Sequence, residues 1–172
     1  MTKSEVRTLS VLKMKIQPED VVWDIGAGTG SISVEAALNY PQASVCAIER
    51  NPEAAALIRQ NMDAFSLTNI TVTEGYAPQA FASLPAPNVA IIGGSGGNLA
   101  EIIDALWNYP EFRTVVINAV TINTAYQAIE YLHQKQALTE AFQMGINNIT
   151  MIKDYQMFQA QNPIFIITGN KK

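Results

Sequence analysis

An acidic residue and three alternating glycines stand together early in the chain, in the segment VVWDIGAGTGSISVEAA that covers residues 21–37. Asp24 ends an apolar run, and Gly26, Gly28 and Gly30 follow it at every second position. Glycine accepts positive φ angles and lets a ligand approach the backbone closely, so amides of this segment can point into a site. The spacing predicts a ligand-binding turn, and a turn that only joins two elements is the alternative.

The glycine spacing separates two classes of nucleotide site. A dinucleotide fold uses G-x-G-x-x-G and holds a pyrophosphate over a helix N-terminus. Here the position three after Gly28 is Ser31, and the segment reads D-x-G-x-G-x-G, which resembles the S-adenosylmethionine motif. That ligand carries an ammonium and a sulfonium but no phosphate, so the Asp24 carboxylate would attract it and would repel a pyrophosphate. The motif predicts S-adenosylmethionine as the cofactor.

Glu49 ends a second apolar run, in CAIERN, and follows Asp24 by twenty-five residues. A carboxylate there can accept hydrogen bonds from both ribose hydroxyls, each worth about 1.5–3 kcal/mol. An acidic residue at this place also occurs in NAD folds, and a solvated glutamate is the alternative. After the third run, EGYAPQAF has Tyr76 where methyltransferases of this class commonly place an acidic residue near the adenine amino group. The ring or a backbone carbonyl could contact adenine, and plain packing is equally consistent.

A second glycine cluster follows the fourth apolar run, in IIGGSGGNLAEIIDALW. Nucleic-acid amino-group methyltransferases carry an Asn/Asp-Pro-Pro-aromatic motif there, and residues 93–97 contain neither that motif nor a His, Cys, Asp or Glu to act as a base. The acceptor-site candidates in this cluster are Gly94, Ser95, Gly96 and Gly97. They predict a wide binding surface that is nearly free of side chains, next to unpaired backbone amides at a helix start that can hold anions. We expect a flat, carboxylate-bearing acceptor that supplies its own nucleophile; a flexible loop without a ligand is the alternative.

A parallel sheet must position these residues. Short Val and Ile runs alternate with segments of helical period, which predicts a βαβ order with strands covered on both faces. Predicted strands cover 20–25, 44–49, 70–74, 88–92 and 113–118, and predicted helices lie near 30–40, 52–65, 77–83, 98–107 and 121–136. Both glycine clusters and Glu49 then lie at carboxyl ends of strands, where open sheets hold ligands.

The two ends of the chain depart from this rhythm. An amphipathic segment comes first, with Val6, Leu9, Leu12 and Met14 near one helical face. At the other end, the stretches LTEAFQMGINNITMI and NPIFIITG follow each other without a helix between them. They should therefore pair antiparallel at one edge of the sheet.

Length and composition fit one domain, residues 1–172, with a single core. Hydrophobic residues make up 48% and charged residues 15%, which excludes a disordered chain, and no apolar stretch approaches the roughly 20 residues of a membrane span. The net charge of -4 and the lack of a Lys/Arg run argue against nucleic acid as a substrate. Without a signal-peptide pattern and with a single cysteine, the chain is expected to be soluble and cytoplasmic.

Five parallel units that end in an antiparallel pair resemble the class I S-adenosylmethionine-dependent methyltransferase architecture, a Rossmann-like α/β fold with a seven-stranded mixed sheet whose last strand is antiparallel. The segments MTKSEVR, VVWDIGAGTGSISVEAA, AIERNPEA, IIGGSGG and VINAVT occur in the order and at the spacing found in the decarboxylating precorrin methyltransferases of cobalamin biosynthesis. The resemblance covers nearly the whole chain. Within that family the chain is similar to stand-alone subunits that methylate carbon 15 of a precorrin or cobalt-precorrin and decarboxylate its ring C acetate.

The resemblance implies S-adenosylmethionine as cofactor, a tetrapyrrole substrate, a homotetramer and a functional partner that methylates carbon 5. The predicted cofactor-binding residues are Thr2, Asp24, Gly26, Ala27, Gly28, Thr29, Gly30, Glu49, Arg50, Tyr76 and Ala77. Two residues depart from the family pattern: Tyr76, and Asn88 where the family often has Asp. Family members often carry residues ahead of Met-Thr-Lys, so a lid built from them is expected to be missing or shorter.

Other polar residues are weaker candidates for the acceptor site. Lys3 and Arg7 could bind acceptor carboxylates, although each is equally expected as a solvated surface charge. Asn118 and Thr121 end the fifth strand and open the next helix, so their polar atoms could face the acceptor. Capping of that helix by Thr121 is an equally good account.

No cluster of His, Cys and carboxylate residues predicts a metal site. His133 lies in a polar late-helix setting and is expected at the surface, whereas Cys46 is expected in the core. Two other functions stay open. One is a class I methyltransferase acting on another carboxylate-bearing small molecule or on protein, and the other is a nucleotide-binding protein without catalysis.

Overall fold

Helices and strands alternate along residues 2–171, which are the residues that the computed structural model describes. The helices are α1 (Ser4–Met14), α2 (Ser31–Asn39), α3 (Pro52–Ala64), α4 (Leu99–Trp107) and α5 (Ile122–Gln134), with a 3₁₀ helix at Gln79–Ser83. The strands are β1 (Val21–Ile25), β2 (Ser44–Glu49), β3 (Ile70–Glu74), β4 (Val89–Ile92), β5 (Thr114–Ala119), β6 (Leu138–Met144), β7 (Asn147–Ile152), β8 (Tyr155–Ala160) and β9 (Ile164–Asn170). None of the described helices is both long and apolar enough to cross a membrane.

Seven of these strands form one sheet in the order β3-β2-β1-β4-β5-β9-β6. The first five strands are parallel, and β9 runs antiparallel to both of its neighbours, β5 and β6. This confirms the predicted mixed sheet with an antiparallel last strand. The strand order reverses between β1 and β4, so a crevice opens at the carboxyl ends of these two strands, where open α/β sheets bind ligands.

Alternate residues of β1 face the two helix layers of the molecule. Trp23 and Ile25 pack into the layer that contains α4 and α5, where the Trp23 ring centroid lies 4.6 Å from that of Phe81. Val22 packs into the opposite layer, which contains α1, α2 and α3. Asp24 shares the face of Val22, so its carboxylate is placed inside a largely apolar layer.

Helix α1 buries Val6 and Met14 as predicted, but Leu12 is 63% exposed. Ser10 takes a fully buried position instead. Its hydroxyl donates to the Val6 carbonyl at 2.7 Å and accepts from the Asn118 amide at 2.9 Å, so the polar group is satisfied inside the layer. The predicted apolar face was wrong at Leu12 because hydrogen bonding lets a serine occupy the buried side of this helix.

The stretch 138–152 divides into two strands with different partners. β6 pairs antiparallel with β9, as predicted, whereas β7 pairs with β8 in a separate two-stranded sheet. Ile152 pairs with Tyr155 across a two-residue turn, and this local hairpin has a far smaller loop to close than pairing with 162–169 would have. The predicted edge pairing was therefore right for β6 and wrong for β7, and β8 was not predicted.

Candidate active site

The first glycine cluster forms the loop between β1 and α2, at the crevice of the sheet. Its backbone amides are bonded within the protein: those of Gly26 and Ala27 both donate to Ile48 O, at 2.9 and 3.1 Å, and that of Gly30 donates to Ala27 O at 2.9 Å. The expectation that amides of this segment point into a site is therefore wrong for Gly26, Ala27 and Gly30. The loop folds back on the end of β2, which satisfies its donors locally.

Glu49 holds the centre of this loop. Its Oε2 accepts from the Gly28 amide at 2.7 Å and its Oε1 accepts from the Asn51 amide at 2.9 Å. The side chain is 92% buried, with 8% exposure. Each carboxylate oxygen has a second lone pair, so Glu49 can still accept from a ligand hydroxyl while it fixes the loop.

A cavity of about 210 Å³, here called the Glu49 cavity, opens beside this carboxylate. It is lined by Gly26, Ile48, Glu49, Arg50, Gly75, Tyr76, Ala77, Gly94, Ser95, Gly96 and Asn98. The structure thus brings together predicted residues from the ends of β1, β2, β3 and β4. The sequence patterns do not assign Ile48, Gly75 and Asn98 to this site. For Ile48 and Gly75, the rule that ligands bind at carboxyl strand ends would have found them.

Four of the predicted cofactor residues do not line the Glu49 cavity but build the loop around it: Ala27, Gly28, Thr29 and Gly30. Ala27 packs against the α1–α3 layer. Gly30 lies against Ile58, where an added Cβ would approach the side chain to 2.8 Å. These residues shape the cavity through the backbone, and Thr2 is not among the lining residues either.

Asp24 lies beneath the loop and does not line the cavity. It is 2% exposed, and its Oδ2 accepts from the Ser33 hydroxyl at 2.6 Å. Burial raises the pKa of this carboxyl to about 6, and the negative charge of Glu49 acts in the same direction. Asp24 therefore joins β1 to the first turn of α2, and the described contacts do not bring it to a ligand cation as the motif suggested.

Arg50 and Tyr76 stand at the mouth of the Glu49 cavity. The Arg50 guanidinium carbon lies 5.7 Å from the centroid of the exposed Tyr76 ring, a cation–π distance. The other three arginines of the chain each pair with a carboxylate. Arg50 makes no ion pair and no side-chain hydrogen bond within residues 2–171, so its donors are directed to solvent or to a ligand.

The second glycine cluster separates the Glu49 cavity from a neighbouring cavity of about 230 Å³, here called the Asn118 cavity. Gly94, Ser95 and Gly96 line both cavities. The remaining lining includes Gly93, Gly97, Ile117, Asn118, Val120 and Thr124. The predicted acceptor residues from β4 and β5 are thus together in one place, directly across a shared wall from the predicted cofactor residues.

Two of the predicted acceptor residues have other contacts. Thr121 does not line the Asn118 cavity; its Oγ1 accepts from the Thr124 amide at 3.1 Å and caps α5, as the alternative reading stated. Asn118 lines the cavity, but its amide donates to Ser10 Oγ at 2.9 Å, so this group is tied to α1. A ligand would have to compete with Ser10 for the Asn118 side chain.

The structure does not bring Lys3 and Arg7 to either cavity. Lys3 Nζ donates to the Asn162 carbonyl at 2.9 Å, and Arg7 Nε donates to Glu35 Oε2 at 2.9 Å. Both cations are thus used in contacts of the N-terminal helix. Their expected role in binding carboxylates has no support in the geometry.

Asn88, the second departure from the family pattern, lies at the opposite end of the sheet. Its Oδ1 accepts from the Val21 amide at 2.8 Å, which ties the starts of β1 and β4 together. The side-chain oxygen of an Asn accepts this bond as well as that of an Asp. Asn88 therefore keeps the contact between the two strands although the family often has Asp there. Within residues 2–171 no group of three or more His, Cys, Asp or Glu could hold a metal ion; His133 is exposed and Cys46 is buried.

The chain is similar in sequence to known methyltransferases, in agreement with the two neighbouring cavities described above. The model of the precorrin methyltransferase domain family matches residues 1–171. The chain belongs to this family. A relative from Salmonella typhimurium, named cobalt-precorrin-6B C(15)-methyltransferase (decarboxylating), is 33% identical over an alignment that covers 100% of this chain and 90% of the relative.

Solved structures of the family have the same fold. The crystal structure of precorrin-6Y C5,15-methyltransferase from Geobacter metallireducens superposes with a TM-score of 0.93 at 39% identity and covers 99% of this chain and 90% of that one. Precorrin 8W decarboxylase from Methanobacterium thermoautotrophicum superposes with a TM-score of 0.90 at 30% identity, covering 98% and 91%. Full-length similarity to these proteins makes the chain a methyltransferase of the precorrin family.

Proposed function

We propose that the Glu49 cavity binds S-adenosylmethionine. The observation that carries this proposal is the hydrogen bonding of the glycine loop, because the amides of Gly26, Ala27 and Gly28 are already bonded to Ile48 O and to the Glu49 carboxylate. A pyrophosphate needs free amides there and would lie against a carboxylate that repels it. A cationic ligand with ribose hydroxyls and no phosphate does not need free amides, and the Glu49 carboxylate does not repel it. The donors and acceptors therefore favour S-adenosylmethionine over a dinucleotide.

Bound S-adenosylmethionine supplies an electrophilic methyl group. We infer that Glu49 holds the ribose, because it lines the cavity and its carboxylate is fixed by two backbone amides. The wall of Gly94, Ser95 and Gly96 carries almost no side chain, so ligands in the two cavities can approach each other closely. The contribution of the chain is then to position the two ligands and exclude water.

We propose that the acceptor is a precorrin or cobalt-precorrin, methylated at carbon 15, within cobalamin biosynthesis. The described lining of the Asn118 cavity contains no Asp, Glu, His, Cys, Lys or Arg side chain, so the acceptor has to supply its own nucleophile. An electron-rich ring carbon of a reduced tetrapyrrole meets this requirement. The activity for which the Salmonella relative is named supports the same assignment.

Decarboxylation of the ring C acetate is part of the same proposal. The bond between the methylene carbon and the carboxylate breaks, the electron pair enters the macrocycle as carbon dioxide leaves, and a proton from water completes the methyl group. This step also requires no acid or base from the described lining of the Asn118 cavity. The names of both the Salmonella relative and the Methanobacterium structure include decarboxylation.

Incubation with S-adenosylmethionine and either cobalt-precorrin-6B or its metal-free counterpart, read by mass spectrometry, tests this function. We expect a product that has gained one CH2 unit and lost one CO2, and the preferred substrate will give the metal state. Cofactor binding without turnover of either tetrapyrrole would contradict the acceptor and leave another carboxylate-bearing small molecule or a protein as candidates. Calorimetry that detects NAD binding but no S-adenosylmethionine binding would contradict the cofactor.

We propose a homotetramer assembled through the β7–β8 hairpin. An isolated two-stranded hairpin is marginal in water, and this one exposes six large apolar side chains: Ile149, Met151, Ile152, Tyr155, Met157 and Phe158. Such a patch on a soluble protein is typical of an interface. A single isologous contact closes as a dimer, so a tetramer requires a second contact; the hairpin strands are exposed along nearly their whole length and offer two faces for these contacts.

A partner that methylates carbon 5 is also proposed. The Geobacter protein is named for methylation at carbons 5 and 15. The described residues of the present chain form one proposed cofactor site, the Glu49 cavity. A second enzyme would then methylate carbon 5. A cytoplasmic location stays a prediction from the sequence.

A further inference from the structure

Three large apolar side chains lie exposed next to the Asn118 cavity, at the junction of β5 and α5. Val120 is 71% exposed, Ile122 76% and Tyr126 65%. Ile122 and Tyr126 are one helical turn apart, so they share a face of α5. We call these three residues the Val120 ledge.

The ledge is continuous with the proposed acceptor site. Val120 lines the Asn118 cavity together with Gly97. Gly97 also lines a further cavity of about 300 Å³ that reaches Tyr126. A trough therefore runs from the shared glycine wall, past Gly97, to the exposed face of α5.

We infer that the Val120 ledge holds one face of the flat methyl acceptor, an inference that rests on the proposed tetrapyrrole substrate. A reduced tetrapyrrole has apolar faces and a rim of carboxylates, so its face needs apolar contacts and its rim needs cations or solvent. The three side chains supply the apolar contacts at the mouth of the site. They act as positioning residues, because they place the ring against the glycine wall without touching the cofactor cavity.

The charges around the trough orient the acceptor. Glu130 lines the outer cavity near Tyr126, and its carboxylate repels carboxylates of the rim from that end. Arg50 lies on the Glu49-cavity side of the glycine wall, at the inner end of the trough, where its Nη1 would be 3.1 Å from a Cβ on Gly96. A polycarboxylate acceptor therefore places carboxylates toward Arg50 and its apolar face over the ledge.

The test compares three variants with the parent protein. Ile122→Gln/Tyr126→Gln removes the apolar surface, Ile122→Leu/Tyr126→Phe retains it, and Leu12→Gln is a matched change at another exposed apolar residue, 63% exposed on α1. The measurements are acceptor KM and kcat, S-adenosylmethionine affinity and molecular mass. Binding of uroporphyrin III, a flat macrocycle with a carboxylate rim, is followed by fluorescence as a probe that requires no turnover.

For the double Gln variant we expect acceptor KM to rise about tenfold or more, which is the loss expected from one to two half-buried apolar side chains. S-adenosylmethionine affinity and mass should be unchanged, the Leu/Phe variant should restore most of the acceptor affinity that the Gln variant loses, and the Leu12 variant should behave like the parent. An unchanged KM would overturn the inference, as would a rise in KM that follows a loss of mass, since the face would then be an interface between copies.

If the parent does not turn over cobalt-precorrin-6B, the proposed function fails separately. The ledge is then judged by uroporphyrin III: weaker binding by the Gln variant alone supports it, and equal or absent binding overturns it.

Discussion

Gly26 and Gly94 are in direct backbone contact: a Cβ on Gly26 would overlap the Gly94 carbonyl oxygen. Gly26 also has a φ of +71°, a conformation that other residues adopt at a cost. The loop after β1 and the loop after β4 therefore pack as one unit. Because Gly94 lies in the wall between the Glu49 and Asn118 cavities, this contact fixes both cavities together.

Gly26→Ala should consequently impair both ligands. The new methyl group cannot fit without moving the Gly94 backbone, so we expect weaker S-adenosylmethionine binding and a fall in turnover of at least about a hundredfold, the loss that a shift near 1 Å from attack geometry can cause. Calorimetry and the turnover assay measure the two effects.

Gly28→Ala is the control for this change. Gly28 has a positive φ of 57° but nothing within 4 Å of its Cβ position, so the substitution costs only backbone strain of roughly 1–2 kcal/mol. If the Gly26 and Gly28 variants lose the same cofactor affinity and turnover, the Gly26–Gly94 contact does not fix the two cavities.

Glu49→Ala should weaken S-adenosylmethionine binding about tenfold or more, because charged acceptors for the ribose are lost. The melting temperature should fall as well, since the Gly28 and Asn51 amides lose their acceptor. Glu49→Gln is the matched variant: its amide oxygen can still accept from one loop N–H, but its NH2 group faces the other donor, so stability should return only in part while affinity does not. Full cofactor affinity in Glu49→Gln would contradict a charged ribose acceptor.

The sheet could be predicted from the sequence because its strands are short Val and Ile runs buried on both faces, such as VAII of β4. The exposed β7–β8 hairpin has no such burial signal. The sequence of β7 predicts one continuous stretch with β6, whereas in the structure the short turn between Ile152 and Tyr155 pairs β7 with β8. Local loop closure outweighed the longer-range pattern there.

Residues of the candidate site could be predicted where their place in the fold allows only one kind of side chain. Glu49 ends a strand at the crevice, and Gly26 occupies a place without room for a side chain. Lys3 and Arg7 were not predictable in the same way, because their partners, Asn162 and Glu35, are distant in sequence. Long flexible cations find acceptors through tertiary contacts that spacing does not encode.

Arg50→Gln should raise acceptor KM about tenfold, because Arg50 lacks an ion-pair partner within residues 2–171 and lies beside Gly96, in the wall that the cofactor and acceptor cavities share. Arg59→Gln is the control, since Arg59 pairs with Glu74 in an exposed contact that contributes little. A loss of S-adenosylmethionine affinity with an unchanged acceptor KM would assign Arg50 to the cofactor alone, as the sequence first suggested.

The hairpin makes a prediction about assembly. Ile149 and Phe158 form a cross-strand pair and are 64% and 80% exposed, so Ile149→Ser/Phe158→Ser should lower the mass measured by light scattering after size-exclusion chromatography. Leu38→Ser, at another exposed apolar residue, should leave the mass unchanged. A parent protein that is monomeric at all concentrations, or a double variant of unchanged mass, would contradict assembly through this hairpin.

The buried Asp24 carboxyl predicts a pH dependence of stability. Its native pKa, raised to about 6 by burial, lies above the value of about 3.9 in an unfolded chain, so the native state binds the proton more tightly. The contribution of Asp24 to the free energy of unfolding is therefore greatest below pH about 4 and is lost as pH rises through about 6. From the two pKa values, this loss amounts to about 3 kcal/mol at most.

Asp24→Asn removes this titration while its side-chain oxygen can still accept from Ser33. We expect the variant to gain stability relative to the parent as pH rises from about 4 to 7, measured by urea unfolding at several pH values. S-adenosylmethionine affinity at neutral pH should change little, since Asp24 does not line the Glu49 cavity. Ser33→Ala serves as the control, because it removes the hydrogen bond but keeps the titrating group. A difference between parent and Asp24→Asn that is constant over this range would mean that the carboxyl does not titrate there, and a large loss of cofactor affinity would return Asp24 to direct ligand contact.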